Sequence, residues 1–256
     1  MVALTKDLSM ALDPVKFAQN ALGFKPDPWQ ADALQWSGKR LILNCCRQAG
    51  KSTIAAILAL HTVLYCPGAL VLLVSPSLRQ SGELFRKVTD LLERLDEKPG
   101  LSEDNRLSMA LANGSRIVSL PGKEGTIRGF SSVQFVIEDE ASRVPDGLYT
   151  AVRPMLAVSG GRLMLMSTPF GKRGHFFEEW ANGGNAWERV EVPAIACPRI
   201  SKEFLEEERK SMGDWWFRQE YKCDFVESTD QVFSHDLVMA ALSSDVKPLF
   251  GGGRHD

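Results

Sequence analysis

The stretch LILNCCRQAGKST, residues 41–53, decides the fold of this chain. A short apolar run ends in a turn that contains Gly50, then come Lys51 and two hydroxyl residues, and helical spacing begins at Ile54. This order is typical of a strand, a phosphate-binding loop and a helix. Unpaired N–H groups at the start of a helix, together with the helix dipole, favour a bound polyphosphate. The stretch therefore predicts a nucleotide site.

Each residue type in this loop has a chemical reason. Gly50 lets the backbone approach the phosphates, Lys51 can reach the β- and γ-phosphates, and the Ser52 hydroxyl can bind Mg²⁺. The loop departs from the usual G-x-x-x-x-G-K-[ST] pattern because Cys45 replaces the first glycine. The apolar strand before it and the helix after it supply the structural context that the motif requires.

Composition limits the classes of function. The chain has 256 residues and a net charge of −2, which gives no support to a nucleic-acid partner, so any such contact would be local. No apolar run approaches the roughly 20 residues that span a bilayer, and no signal peptide is evident, so we expect a cytoplasmic protein. Five cysteines without a C-x-x-C pair suggest neither a disulfide framework nor a zinc site. The four scattered histidines are expected to have surface or packing roles.

Periodicity predicts an α/β domain with a mostly parallel sheet flanked by helices, because strands and helices alternate over about 160 residues. The strands are predicted at 41–45, 69–75, 116–120, 133–137, 162–166 and 188–192, and the helices at 14–22, 30–36, 54–64 and 80–95. Residues 99–105 are predicted to be a polar loop, and the glycine-rich segment 121–129 is predicted to be irregular. Ligands bind at the carboxyl ends of such strands.

The domain organisation follows from a change of composition near residue 198. We expect residues 1–197 to form the core with an N-terminal helical segment, and residues 198–250 to form a small helical lid. In the lid, Ser201 is expected to cap a helix and Gly213 to interrupt it. The glycine-rich residues 251–256 are predicted to be a truncated linker.

A second acidic motif, FVIEDEA at residues 135–141, complements the phosphate loop. In a phosphate-loop ATPase, an acidic residue at the end of a neighbouring strand holds Mg²⁺ and an adjacent glutamate polarises the attacking water. Asp139 fits the first role and Glu140 the second. Glu138 leaves the register open by one residue, because alternate side chains of a strand face opposite ways. The alternative is an acidic surface cluster that caps a strand.

Several motifs in order resemble the ATPase domain of tailed-bacteriophage large terminases, over about residues 24–225. Superfamily 2 helicases share some of them, but the order and the last segment make the resemblance specific. The motifs are Phe24 with Trp29-Gln30, Arg47 to Thr53, Val74-Ser75-Pro76, Arg128-Gly129, Glu138 to Ala141, Ser167-Thr168-Pro169 and Phe217 to Tyr221. The resemblance implies a RecA-like P-loop NTPase fold of the ASCE group.

The resemblance also implies roles for individual residues. Gln30 would contact adenine with Trp29 packed nearby, Arg47 would reach or sense the γ-phosphate, and Ser167 with Thr168 would relay its loss. The predicted nucleotide-binding loop comprises Arg47, Gln48, Ala49, Gly50, Lys51, Ser52 and Thr53. The alternatives are a core role for Trp29 and an ordinary strand end at Ser167.

Arg128 lies in a glycine-rich loop, from which an arginine finger can act on a neighbouring subunit. Arg143 and Arg153 are rival candidates, and a solvated loop arginine is the alternative. Terminases also carry a C-terminal nuclease domain, and the carboxylate cluster of that domain is not evident here. We therefore expect an isolated motor domain.

The expected function is hydrolysis of Mg·ATP that drives double-stranded DNA into a viral procapsid. The expected partners are DNA, the portal protein and the small terminase subunit, with the chain in a homo-oligomeric ring when assembled or a monomer in isolation, and located in the host cytoplasm. Candidate contacts to DNA phosphates are Lys172 with Arg173, or Arg79 with Lys87. The alternatives are a helicase-like translocase, a GTPase, for which no N-K-x-D segment is evident, and a non-catalytic ATP-binding scaffold.

Overall fold

The computed structural model describes residues 2–122, 124–127, 129–227 and 241. The strands among these residues are β1 (Arg40–Cys45), β2 (Leu70–Ser75), β3 (Leu101–Asn105), β4 (Ser108–Leu111), β5 (Arg116–Pro121), β6 (Phe135–Asp139), β7 (Arg162–Ser167) and β8 (Glu188–Val192). They form one sheet in the order β3-β4-β5-β2-β6-β7-β1-β8. From β5 to β8 along this order every neighbouring pair is parallel. β3 and β4 extend the sheet as an antiparallel hairpin.

Helices surround the sheet. They are α1 (Val2–Leu12), α2 (Pro14–Asn20), α3 (Pro28–Leu34), α4 (Lys51–Tyr65), α5 (Leu78–Leu92), α6 (Glu124–Ile127), α7 (Asp146–Ser159), α8 (Gly174–Asn182) and α9 (Lys202–Lys222). No helix within the described ranges has the length and apolar character needed to span a bilayer. The mostly parallel sheet between helices agrees with the predicted α/β class.

The two faces of the sheet carry two separate hydrophobic cores. Leu41, Leu43 and Ile137 belong to the core that also contains the buried side of α4. Ile42 and Val136 belong to the second core, under α7 and α8. Successive side chains of a strand point to opposite faces, which explains the alternation. The same alternation sends neighbouring residues at the end of β6 to different faces.

The predicted helix boundaries agree with several capping contacts. Asp13 Oδ1 accepts hydrogen bonds from the N–H groups of Val15 and Lys16 at the start of α2. Ser201 Oγ accepts a hydrogen bond from the Phe204 N–H at the start of α9. Gly213 interrupts α9 with φ 79° and ψ 162°, a backbone conformation almost restricted to glycine. The predictions for Ser201 and Gly213 are confirmed.

The prediction of a loop at residues 99–105 is wrong, because residues 101–105 form β3. All five residues of β3 are exposed, so the strand lacks the apolar alternation by which a half-buried strand is recognised. The segment 121–129 is also less irregular than predicted, since it contains the short helix α6. The strand predicted at 133–137 occupies residues 135–139 instead.

The predicted lid is described only up to residue 227. The second half of α9 packs on the core, where Phe217 and Tyr221 join the cluster that contains Leu41. Most of the rest of the predicted lid, and the predicted linker at residues 251–256, lie outside the described residues.

Candidate nucleotide-binding site

The candidate site lies where β1, β7 and β6 end side by side at the carboxyl edge of the sheet. The loop between β1 and α4 borders a cavity of about 470 Å³, whose walls include Lys51, Ser52, Glu140 and Thr168. A second cavity of about 430 Å³ adjoins it and is lined by Ser52, Asp139 and Glu140 together with residues of α5. The edge predicted to bind ligands therefore holds both halves of the predicted site.

The shape of the loop depends on Gly50. Its φ of 96° is in the left-handed region, and a Cβ there would lie 2.7 Å from Nε2 of Gln30. Only glycine fits both the dihedral angle and the space. Gln48 also has a positive φ, 61°, so the chain turns sharply into the first turn of α4.

The first residues of the loop are tied to other elements. Cys45, which stands where the usual motif has glycine, is the buried last residue of β1. The Cys46 N–H donates to the Val192 carbonyl over 2.9 Å, and the Arg47 N–H donates to the Glu220 carbonyl over 3.1 Å. These two N–H groups are engaged by β8 and α9, so a phosphate would be held by N–H groups nearer Lys51.

Gln30 supports the loop from behind. Its Nε2 donates to the Ala49 carbonyl over 3.3 Å, and its Oε1 accepts from the Asp27 N–H over 2.9 Å. Arg199 Nη2 donates to the same Ala49 carbonyl over 2.7 Å. Trp29 is half-buried and packs against the core that contains Leu41. The structure thus places both residues of the predicted adenine motif against protein, and adenine contact stays a prediction.

Lys51 faces Glu140 across the cavity. Its Nζ lies 3.1 Å from Glu140 Oε1, and the lysine side chain is only 10% exposed. Burial lowers the pKa of Lys51, but the nearby carboxylates of Glu140 and Asp139 outweigh it, so the net shift is upward. The lysine is therefore charged at the N-terminus of α4, where a polyphosphate would bind.

The two acidic residues at the end of β6 face opposite sides of the sheet. Asp139 lines the cavity with Ser52, whereas Glu138 is fully buried on the other face with its Oε1 2.6 Å from Nε2 of His175. Burial raises the pKa of Asp139 to about 6, and the Lys51 charge partly offsets this effect. The geometry brings Asp139 and Glu140, and not Glu138, to the phosphate loop.

Glu140 has a left-handed backbone, with φ 53°, and its N–H donates to Asp139 Oδ1 over 3.0 Å. Ser142 connects this turn to the end of β7. Its Oγ lies 2.7 Å from Ser167 Oγ and donates to the Thr168 carbonyl over 2.8 Å, while Ser167 Oγ lies 3.5 Å from Glu140 Oε2. The two predicted relay residues are thus in hydrogen-bonding contact with the turn that carries Glu140.

Arg47 and Arg143 converge on one buried carboxylate. Arg47 Nε donates to Glu220 Oε2 over 2.6 Å, and Arg143 Nη2 lies 3.9 Å from the other carboxylate oxygen. The Glu220 side chain is 8% exposed, whereas the Arg47 side chain is 63% exposed. The guanidinium of Arg143 also lies 4.1 Å from the centre of the Phe170 ring. Both arginines also line the loop cavity.

The other predicted basic residues are spread over the surface. Arg153 lies 3.9 Å from Glu179 Oε1, and Lys172 lies 3.6 Å from Glu227 Oε1. Arg79 and Lys87 line the cavity beside Asp139. The guanidinium of Arg173 lies 4.8 Å from the centre of the Phe170 ring, which Arg143 also contacts. Arg128, the predicted arginine finger, lies outside the described residues.

The sequence analysis did not predict a role for three residues that lie in the site or directly behind it. Ser142 and His175 contact residues 25 and 37 positions away in the chain, and Arg199 contacts a carbonyl 150 positions away. Single hydroxyl, imidazole and guanidinium groups without a local motif give no signal from which such contacts could be inferred.

The sheet order, the phosphate loop and the acidic strand end together define a P-loop NTPase domain of the RecA-like type. The chain belongs to the family described as terminase large subunit, T4likevirus-type, N-terminal, whose model matches residues 42–238. The resemblance inferred from the motifs is therefore confirmed at the level of the family.

Similar proteins agree with this assignment. The large terminase subunit of Thermus phage G20c is 27% identical over 250 residues, which covers 83% of this chain and 51% of that protein. The large terminase subunit of Escherichia phage T5 is 26% identical over 211 residues, covering 79% of this chain and 48% of that protein. This chain thus spans about half the length of these relatives.

Solved structures match the fold. The large terminase ATPase domain of Thermus phage P74-26 superposes with a TM-score of 0.75 at 25% identity, covering 84% of this chain and all of that domain. A large terminase from another thermophilic bacteriophage, in a complex with ADP, gives a TM-score of 0.65 at 12% identity and covers 78% of this chain and 53% of that one. The second likeness supports the fold alone.

Proposed function

We propose that this chain hydrolyses Mg·ATP and is the motor domain of a viral DNA-packaging terminase. The observation that carries the proposal is the position of Lys51, at the N-terminus of α4, 3.1 Å from Glu140 across a cavity at the sheet edge. A cation that binds phosphate and a carboxylate that can act as a base thus face the same space.

The proposed roles follow from the geometry. Lys51 and the N–H groups at the start of α4 bind the phosphates, and Ser52 with Asp139 holds Mg²⁺, a cation that takes oxygen ligands. When bound, Mg²⁺ neutralises charge that develops on the phosphates. Glu140 accepts the proton of the attacking water once Lys51 turns from the carboxylate to a phosphate. Ser167 and Thr168 sense the γ-phosphate through Ser142 and the turn of Glu140.

Coupling to DNA rests on family membership. The curated relatives are named terminase large subunits, so we propose that hydrolysis here drives translocation of double-stranded DNA into a procapsid. The proposed partners are DNA, the portal protein and the small terminase subunit, and the proposed assembly is a homo-oligomeric ring in the host cytoplasm.

The test compares ATP binding and phosphate release for the wild type, Lys51→Ala and Glu140→Gln. We expect Lys51→Ala to lose ATP binding, because it removes the buried cation of the cavity. We expect Glu140→Gln to bind ATP but to lower the hydrolysis rate by about 100-fold or more, since amides do not accept the proton of water. Glu93→Gln, an exposed carboxylate paired with Lys98, is the matched control.

Two results would contradict the proposal. Full activity in Glu140→Gln would exclude that residue as the base. A wild-type protein that binds ATP without turnover at any concentration would favour the scaffold alternative.

A further inference from the structure

A buried histidine on the far face of the sheet contacts two carboxylates. His175, in α8, has Nε2 2.6 Å from Glu138 Oε1 and Nδ1 3.0 Å from Asp146 Oδ1. Its backbone N–H also donates to Asp146 Oδ1, over 2.7 Å. The His175 side chain is 4% exposed, and its ring stacks on the Tyr149 ring with the two centroids 4.6 Å apart. Three separate elements, β6, α7 and α8, are thus joined through one imidazole.

The contacts favour the doubly protonated form of the ring. Both nitrogens face carboxylate oxygens, which accept hydrogen bonds, and an imidazolium can donate to both of them. Burial lowers the pKa of His175, but the hydrogen bonds and charges of Glu138 and Asp146 outweigh it and raise the pKa overall. Glu138 Oε2 has no hydrogen-bond partner among the described residues, so His175 is the main counter-charge of this buried carboxylate.

The two carboxylates are the two ends of one short segment. Residues 139–145 connect Glu138 to Asp146 and include Asp139, Glu140 and Ser142. Within this segment Glu140 has the strained left-handed backbone, a conformation that persists only where the surroundings hold it. One histidine therefore holds both ends of the turn that presents the proposed base.

We infer that His175 is a positioning residue for ATP hydrolysis, which fixes the turn between Glu138 and Asp146 and so aims Glu140 at the attacking water. This inference rests on the proposed function. His175 is on the face of the sheet opposite the phosphate loop, away from the proposed nucleotide site. Its loss should therefore lower the rate of ATP hydrolysis and leave ATP affinity almost unchanged.

The first experiment measures kcat and KM for ATP, ATP affinity and thermal stability in the full chain. His175→Gln bonds only one of the two carboxylates, and we expect kcat to fall about tenfold or more while KM and affinity change less than about twofold. Glu138→Gln preserves a hydrogen bond to His175 and should retain most of kcat. His61→Gln is the matched control, because His61 makes a comparable contact, 3.0 Å to the Met10 carbonyl, away from the site.

If His175→Gln does not fold, Asp146→Ala replaces it. The Asp146 side chain is 67% exposed, so its removal opens one end of the turn without a cavity in the core. We expect kcat to fall severalfold with unchanged affinity. A wild-type kcat in either variant, or a parallel loss of kcat and ATP affinity, would overturn the inference in favour of a purely structural role.

A second measurement separates this inference from the proposed function. Amide hydrogen exchange of residues 139–145 should accelerate in His175→Gln, while exchange in the middle of α4 stays at the wild-type rate. Unchanged exchange in the turn would overturn the positioning role whether or not the chain hydrolyses ATP. Absence of hydrolysis in the wild type would instead contradict the proposed function.

Discussion

At the scale of single residues, a local motif predicts some residues of the site, whereas contacts between distant parts of the chain place the others. Gly50, Lys51 and Ser52 were predicted because their roles depend on neighbours in sequence, and the structure places them together around one cavity. The position of Glu138 could not be derived, since its partner His175 is 37 positions away. A surface or packing role was expected for each histidine, so the buried pair of His175 and Glu138 was not predicted.

The cationic His175 makes protein stability depend on pH. The folded-state pKa of His175 is raised above its ordinary value, so the folded protein binds the proton more tightly than the unfolded chain. The stabilisation is complete below about pH 6.5, the unfolded pKa, and is lost as pH rises through the folded pKa. We expect the difference in unfolding free energy between wild type and His175→Gln to shrink over that range.

Urea unfolding of both proteins at a series of pH values, without nucleotide or Mg²⁺, measures this difference. His61→Gln serves again as the control, because burial lowers the pKa of His61 and its contribution should have the opposite pH dependence. A difference that is constant with pH would show that His175 is not a cation in the folded protein.

At the scale of elements, the buried parallel strands were predicted well because each is a short apolar run with a polar end. β3 was missed since none of its side chains is buried. α9 was expected to belong to a small helical lid, which stays a prediction; its second half carries Glu220 to the phosphate loop, where Glu220 binds Arg47. Such packing depends on tertiary contacts that no local pattern specifies.

The contact between α9 and the loop should be measurable as a coupling energy. A charge-assisted hydrogen bond with one partner largely exposed is expected to contribute about 1 kcal/mol. We expect a double-mutant cycle of Arg47→Ala and Glu220→Ala, followed by urea unfolding, to give a coupling of that size. Arg86→Ala with Glu83→Ala, an exposed pair within α5, is the matched control and should give a smaller value.

Additive effects of the two substitutions would mean that the two side chains are not coupled, and that the backbone hydrogen bond from Arg47 to Glu220 and apolar packing join α9 to the loop. The Glu220 side chain would then have no part in holding the arginine beside the cavity.

At the scale of the whole molecule, the proposed ring predicts that activity depends on association. If Arg128 completes a neighbour's site, the specific hydrolysis rate should rise with protein concentration, and Arg128→Ala should abolish the rise, lowering the plateau rate by about 100-fold or more. Arg209→Ala is the matched control, because Arg209 is an exposed arginine of α9 that pairs with Asp214. Steady-state phosphate release, measured over a series of protein concentrations, gives the specific hydrolysis rate.

Concentration-independent turnover, unchanged in Arg128→Ala, would exclude a finger at that position. Loss of activity in Arg143→Ala alone would assign the role to an arginine that already lines the loop cavity of its own chain.

The hairpin of β3 and β4 has a consequence for how copies of this chain associate. An edge strand offers unpaired N–H and C=O groups to any other chain, and this invites fibrils. β3 carries Glu103 and Asp104, and its pairing with β4 is irregular between Leu101 and Glu103. At the opposite edge β8 carries Glu188, Arg189 and Glu191. Charge and irregular pairing at these two edges of the described sheet thus disfavour growth by strand addition.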